Sequence, residues 1–185
     1  MFFVLSGFLI IRLIYRAKIR DAFSIKDFYV RRILRIFPLY YLVLGFGLFF
    51  YNVFLPYLNI PFEINYAWKE AFFYNVFFLP NVFAKIYEPG GILEILWSIG
   101  IEEQFYLVIA PLLFFINVKW ILRVLSLLLL GYFILYWSDV FEVLRKYTFV
   151  FFYLFSGGVI AILEEKKKLG FLKRSAVFPI FFFFF

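Results

Sequence analysis

Three carboxylates interrupt an otherwise apolar stretch: Glu94, Glu102 and Glu103 lie inside Ile92–Ile116. An ionisable side chain is costly in hydrocarbon, and where one occurs it marks a functional site or a charge partner. At about 1.5 Å of rise per residue, Glu102 falls about 15 Å from the outer end of such a helix, close to the midplane of a bilayer. Glu94, Ser98, Glu102 and Tyr106 recur at steps of four, which puts them in one polar stripe on one helix face. Glu103 lies about 100° away from that stripe and ranks behind Glu102. Two uses are open: a structural ion pair with an arginine of a neighbouring helix, or catalytic and substrate-positioning chemistry centred on Glu102 with Ser98 and Tyr106 in support.

A second cluster is basic. Arg31, Arg32 and Arg35 fall within one arc of about 100° on a helix, opposite Val30, Ile33, Leu34 and Phe37. Arginine presents a planar fork suited to bidentate phosphate recognition, so three of them at the mouth of a helix bundle would suit an anionic cofactor. A basic stretch beside a membrane span is also what topology alone demands.

The sequence also removes options. It has no histidine and no cysteine, so the commonest base near neutral pH, thiolate chemistry and the usual transition-metal ligands are all missing. No metal site is expected. The 185 residues are 66% hydrophobic, 27% aromatic and only 17% charged, with a mean hydropathy of +0.95. Globular chains run about 45–50% apolar and about 25% charged, which excludes a soluble globular enzyme. The net charge of +7 is no nucleic-acid footprint, because the basic residues stand at the ends of apolar runs.

The elements that must position these groups are apolar helices. Met1–Ile14 is an apolar run too short for a comfortable span, with Arg12 near its end and Arg16, Lys18 and Arg20 after it rather than a cleavage site. Ser24-Ile-Lys-Asp27 has the pattern of a capping box and predicts a helix running toward Pro38. Further spans are predicted over 36–55, 92–116, 120–137 and 147–163. Between them, Tyr57–Gly91 follows directly on Pro56, carries Pro61, Pro80, Pro89 and a Gly90-Gly91 pair and reads as a long loop, with a short interfacial or re-entrant helix over 67–79. Gly157-x-x-x-Ala161 with Gly158 is a small-residue packing face; Ser6-Gly7 is a weaker signal of the same kind. A sixth apolar run, Ala176–Phe185, ends in five phenylalanines. The expectation is an all-α polytopic membrane helix bundle, incomplete at both ends, of about five spans plus a partial sixth.

Lysine and arginine collect in cytoplasmic loops. Placing the segment after the first run inside and alternating from there puts 15 of the 19 basic residues on the cytoplasmic side, leaving only Lys69, Lys85, Arg145 and Lys146 outside. The basic stretch 12–35 is then cytoplasmic and residues 56–91 form an extracytoplasmic loop.

Three segments together carry a resemblance. Phe2-Phe-Val-Leu-Ser-Gly-Phe-Leu-Ile10, Phe28-Tyr-Val-Arg-Arg-Ile-Leu-Arg-Ile-Phe-Pro-Leu-Tyr-Tyr41 and Leu96-Trp-Ser-Ile-Gly-Ile-Glu-Glu-Gln-Phe-Tyr106 resemble, in order and spacing, the signature segments of the acyltransferase type 3 family, integral-membrane enzymes that O-acylate glycans and related acceptors. The resemblance covers residues 1–185, read as a partial membrane acyltransferase domain of a bacterial inner membrane. It implies acyl-CoA, typically acetyl-CoA, as donor at the cytoplasmic face, and a carbohydrate or lipid-linked glycan as acceptor. Membrane lipid and the remaining helices of the parent domain are the other partners, with no nucleic acid. Arg32 and Arg35, with Arg31 beside them, match the basic motif associated with the CoA phosphates. Glu102 matches the acid of the Trp-Ser-Leu-x-x-Glu motif, with Ile99 where the family usually has leucine. The histidine proposed as the family's base belongs to a helix preceding the Phe2–Ile10 segment, so these 185 residues are expected to lack activity alone. The competing expectations are a transporter or flippase of an anionic glycolipid, and an inactive remnant.

Overall fold

Each helix here can be traced to an apolar run and to what stops it. The structure, a computed structural model, describes residues 2–166; the predicted run Ala176–Phe185 lies outside the described residues. The first run extends past Ile14, so that α1 is Phe2–Ile19, and it ends where Asp21 takes up a left-handed backbone with φ 52°. The predicted cap then appears: the Ser24 hydroxyl accepts the Asp27 amide at 3.3 Å, and α2 runs over Ile25–Phe49 with Pro38 inside it. A π-helical turn, Phe50–Phe54, carries it into α3, Leu55–Tyr57.

Two helices follow in the proline-rich segment, α4 at Trp68–Val76 and α5 at Pro80–Tyr87. The first matches the short helix expected there, but the second falls in what the sequence suggested was loop. Its local reason is Pro80 in the first turn, whose fixed φ is preset for a helix and whose missing amide proton costs nothing at that position. It stops at Glu88, left-handed at φ 44°. Gly91 opens α6 (Gly91–Phe115) with φ 56°, and a Cβ there would collide with the Tyr51 hydroxyl. That hydroxyl accepts the Ile92 amide at 3.0 Å, satisfying one orphan donor of the helix start. After α6 come α7 (Ile121–Trp137), a short 3-10 turn, α8 (Glu142–Lys146) and α9 (Phe151–Glu165).

Among the described residues two stretches are long and apolar enough to cross a membrane, Ile25–Tyr57 and Gly91–Phe115, and α7 with α8 supplies a third if that pair, bent by 85°, is one span. Helices α7 and α9, with 17 and 15 residues, reach about 25 Å or less at 1.5 Å per residue. The protein is an integral-membrane, all-α chain. The described residues divide into two compact units, one built from 2–23, 109–140 and 150–166, the other from 24–108 and 141–149.

In the first unit α1 lies along α9. Gly7 meets the backbone of Leu154, Gly157 meets the backbone of Val4 and Phe8, and Gly158 meets the side chain of Ile11, each so closely that a Cβ would collide. Ile10, Ile11, Ile14, Leu154, Ala161 and Ile162 are buried around them. Tyr132 of α7 packs its ring on Phe151 and Phe155 of α9. The extra turns of α1 are held by charge: Arg12 and Arg16 donate to Glu165 Oε1 at 2.6 and 2.9 Å, and Arg12 lies 3.6 Å from Glu164. The Lys18 ammonium donates to the carbonyls of Leu113, Phe114 and Ile116, capping the open end of α6 where a cation is favoured.

The second unit has a core of aromatic and aliphatic side chains, including Tyr40, Leu44, Leu48, Tyr51, Tyr66, Phe83, Leu93 and Leu96. Its outer faces, such as Leu34, Leu39, Leu42 and Phe46 on α2, are exposed and apolar, as a surface in contact with lipid requires.

Candidate functional site

Within the second unit, α6 buries both of its central acids, Glu102 at 9% exposure and Glu103 at 6%. The i, i+4 spacing of the polar stripe becomes a bond: the Tyr106 hydroxyl donates to Glu102 Oε2 at 3.0 Å. Above the Tyr106 ring stands a guanidinium of α2, with Arg32 Cζ 5.1 Å from the ring centroid and 5.8 Å from that of Phe28. A cation over a desolvated aromatic face is worth about 2 kcal/mol. The Arg32 charge acts on Glu103 as well as on Tyr106. One arginine, one phenol and two carboxyls therefore share a buried patch between α2 and α6.

The arginine trio is not gathered into one fork. Arg32 is half-buried against α6, while Arg31 and Arg35 are exposed. Arg32 lies at the edge of the 100° arc, one residue step from Arg31, and only that edge faces α6. The upper part of the acidic stripe also differs from its lower part. Ser98 is half-buried and donates to its own helix at Ile95 O, 3.2 Å, and Glu94 is exposed.

Several polar groups that sequence reasoning did not single out complete the patch. The Gln104 amide donates to Phe78 O at 2.6 Å and to Asn81 Oδ1 at 2.8 Å, and Asn81 in turn donates to Tyr147 O at 2.9 Å. The Tyr40 hydroxyl donates to Asn75 O at 2.9 Å. The Tyr29 hydroxyl donates to Leu107 O at 3.0 Å; this is the carbonyl that Pro111, four residues on, leaves without its helical amide partner. Glutamine and asparagine inside apolar, aromatic stretches were the available signal, since buried amides must be bonded.

Two oxygens in this network stay unmatched: Glu103 Oε1 and Gln104 Oε1 are buried with no hydrogen-bond partner among the described residues. A buried acceptor without a donor costs about 1–3 kcal/mol. Such a patch, with an acid, a cation and open acceptors in a low-dielectric setting, can orient and polarise a hydroxyl or carbonyl brought to it.

Comparison with known proteins places the chain in a family. A family model described as an acyltransferase domain, type 3, matches residues 1–185. The chain is 33% identical over 124 residues to an uncharacterised protein of Haemophilus influenzae, covering 64% of this chain and 49% of that protein. It is 31% identical over 125 residues to the peptidoglycan O-acetyltransferase OatA of Listeria monocytogenes, covering 65% of this chain and 20% of that protein. The chain thus spans about half of one relative and a fifth of the other. No solved structure matches it. With its three signature segments in place and the family model spanning every residue, the chain belongs to the type 3 acyltransferase family.

Proposed function

We propose that the protein serves in a membrane-bound O-acyltransferase that moves an acyl group, acetyl first among them, from acyl-CoA to a hydroxyl of a cell-envelope carbohydrate. The observation that carries this reading is the buried Arg32–Tyr106–Glu102 constellation between two apolar helices. The name of the Listeria relative supports the acceptor class.

Arg35 and Arg31, exposed in the first turns of α2 within the basic stretch 12–35, take the donor's phosphates. Arg32, half-buried, joins them to the acids. Glu102, oriented by the Tyr106 hydroxyl with Ser98 one turn above, aligns the acceptor hydroxyl; Glu103 is the second carboxyl within reach. The acceptor oxygen attacks the thioester carbonyl, a C–O bond forms, the C–S bond breaks, and the hydroxyl proton ends on the released CoA thiol. Residues 12–35 lie on the cytoplasmic side of a bacterial inner membrane and 56–91 outside it, an orientation supported by the sorting of basic residues.

Acetyl-CoA binding to the purified chain in detergent tests the donor assignment. Arg32→Ala and Arg35→Ala are each expected to weaken it about tenfold, equivalent to about 1.4 kcal/mol. Unchanged affinity in both variants refutes the assignment.

A further inference from the structure

The stripe on α6 that leads to Glu102 starts at an open recess. Asn81, Ala84, Lys85, Glu94, Trp97 and Thr148 line a cavity of about 150 Å³. Its walls come from α5, from the first turns of α6 and from the turn after α8. They are tied to one another: Asn81 bonds Tyr147 O at 2.9 Å and receives the Gln104 amide at 2.8 Å, and the Thr148 amide bonds Arg145 O at 3.1 Å. The recess is therefore built before any ligand arrives, which lowers the cost of binding one.

Its lining selects a class of ligand. An indole offers an apolar plate, Glu94 accepts hydrogen bonds, Lys85 donates them, and Thr148 does both. One lysine and one glutamate in the lining sum to no net formal charge, so the recess is unsuited to the phosphates of an acyl-CoA. An aromatic plate beside a few polar groups that both donate and accept suits a neutral, hydroxyl-bearing sugar ring. The register of α6 adds a distance. Glu94, Ser98 and Glu102 stand at i, i+4 and i+8 on one face, which puts the recess about 12 Å along the helix axis from Glu102. That separation exceeds one sugar ring.

We infer that the recess formed by α5, α6 and the Tyr147–Thr148 turn is a saccharide subsite, holding on Trp97 and Glu94 a ring of the acceptor glycan other than the ring that receives the acyl group. The inference rests on the acyltransferase reading above. It makes the acceptor an oligosaccharide, because binding at a remote ring helps position the reacting one.

The test is calorimetric titration of the purified chain in detergent with the β-1,4-linked N-acetylglucosamine trimer, with the monomer, and separately with acetyl-CoA. The trimer is expected to bind about tenfold more tightly than the monomer, and Trp97→Ala to remove that preference. Glu94→Gln, a same-shape change on an exposed side chain, is expected to weaken trimer binding several-fold, and Trp97→Phe to restore most of what Trp97→Ala loses. Acetyl-CoA affinity should be the same in all four proteins, which also shows that the variants fold. Trimer binding that is absent from the wild type, or untouched by Trp97→Ala and Glu94→Gln, overturns the subsite. Trp97-dependent trimer binding in a chain that does not bind acetyl-CoA upholds the subsite and refutes the donor reading.

Discussion

Where α1 meets α9, glycine brings backbone against backbone, and opposite charges pair, Arg12 and Arg16 against Glu164 and Glu165. Where α2 meets α6, the contact is made by large side chains and long polar ones, and two buried oxygens of α6, Glu103 Oε1 and Gln104 Oε1, have no hydrogen-bond partner among the described residues. Helices in a bilayer gain little from hydrophobic association and are held by close packing and polar bonds. The first contact uses those means for cohesion. The second spends stability on unmatched polar groups, as sites that act on a ligand commonly do. The two contacts should therefore fail differently when altered.

The largest effect is expected at Gly157. Its Cβ position is occupied by the backbone of Val4 and Phe8, which cannot give way as a flexible side chain can. Gly157→Val should cost about 3 kcal/mol or more, in the range of severe overpacking, and abolish the folded protein in membranes. A variant that accumulates and melts like the wild type would mean that the close helix contact is not what holds α1 to α9.

The opposite outcome is expected from Glu102→Gln in an acyltransferase preparation containing this domain. The amide keeps the shape and can still accept the Tyr106 hydroxyl, so folding should be preserved. Acyl transfer should fall about a hundredfold, the size expected when a positioned electrostatic group is removed. Tyr106→Phe should lose less, because it removes the phenol that orients the carboxyl and leaves the carboxyl itself. Full activity in Glu102→Gln with lowered thermal stability would make the α2–α6 patch a structural pair after all and erase the contrast.

How much of this was legible in the sequence follows the range of the interactions. The ends of α6 were readable to within a residue, because Gly90-Gly91 and Asn117 bound an apolar run. The Ser24 cap, the Glu102–Tyr106 bond and the Gly157–Ala161 face were readable too, since each is set by spacing within one helix. Hidden were the partners that come from far along the chain. Arg32 differs from Arg31 and Arg35 only by which edge of the arc faces α6, and Gln104 meets Phe78 and Asn81 from 26 and 23 residues away. Helix α5 was missed because the four prolines of 56–91 read as a loop, while Pro80 sits where a helix tolerates it best.

A middle-sized effect separates the two contacts by pH. Hydrogen bonds from Arg16 and Arg12 hold the Glu165 carboxyl below its ordinary 4.5. A depressed carboxylate contributes stability that is complete above its ordinary value and is lost as pH falls through the folded-state value. Thermal melts in detergent should therefore show little change from pH 7 to about 5 and a loss of stability below about 4.5, with a shallower loss in Glu165→Gln. Identical acid slopes in the two proteins would mean that the Arg12–Arg16–Glu165 cluster adds nothing to the α1–α9 contact.

The smallest effect has the reverse sign and calibrates the first. Gly131 lies within α7 and Gly45 within α2, and a Cβ at either position meets nothing within 4 Å. Glycine inside a helix costs about 0.5–1 kcal/mol relative to alanine through the freedom it retains when unfolded. Gly131→Ala and Gly45→Ala should thus each stabilise the protein by up to about 1 kcal/mol in water-like terms, read as a small rise in melting temperature. The same single methyl group added at Gly7 or Gly158, where α9 or α1 already occupies the space, should destabilise. If all four alanine variants move together, helix propensity rather than packing governs these glycines, and the close approach of α1 to α9 is not what selects them.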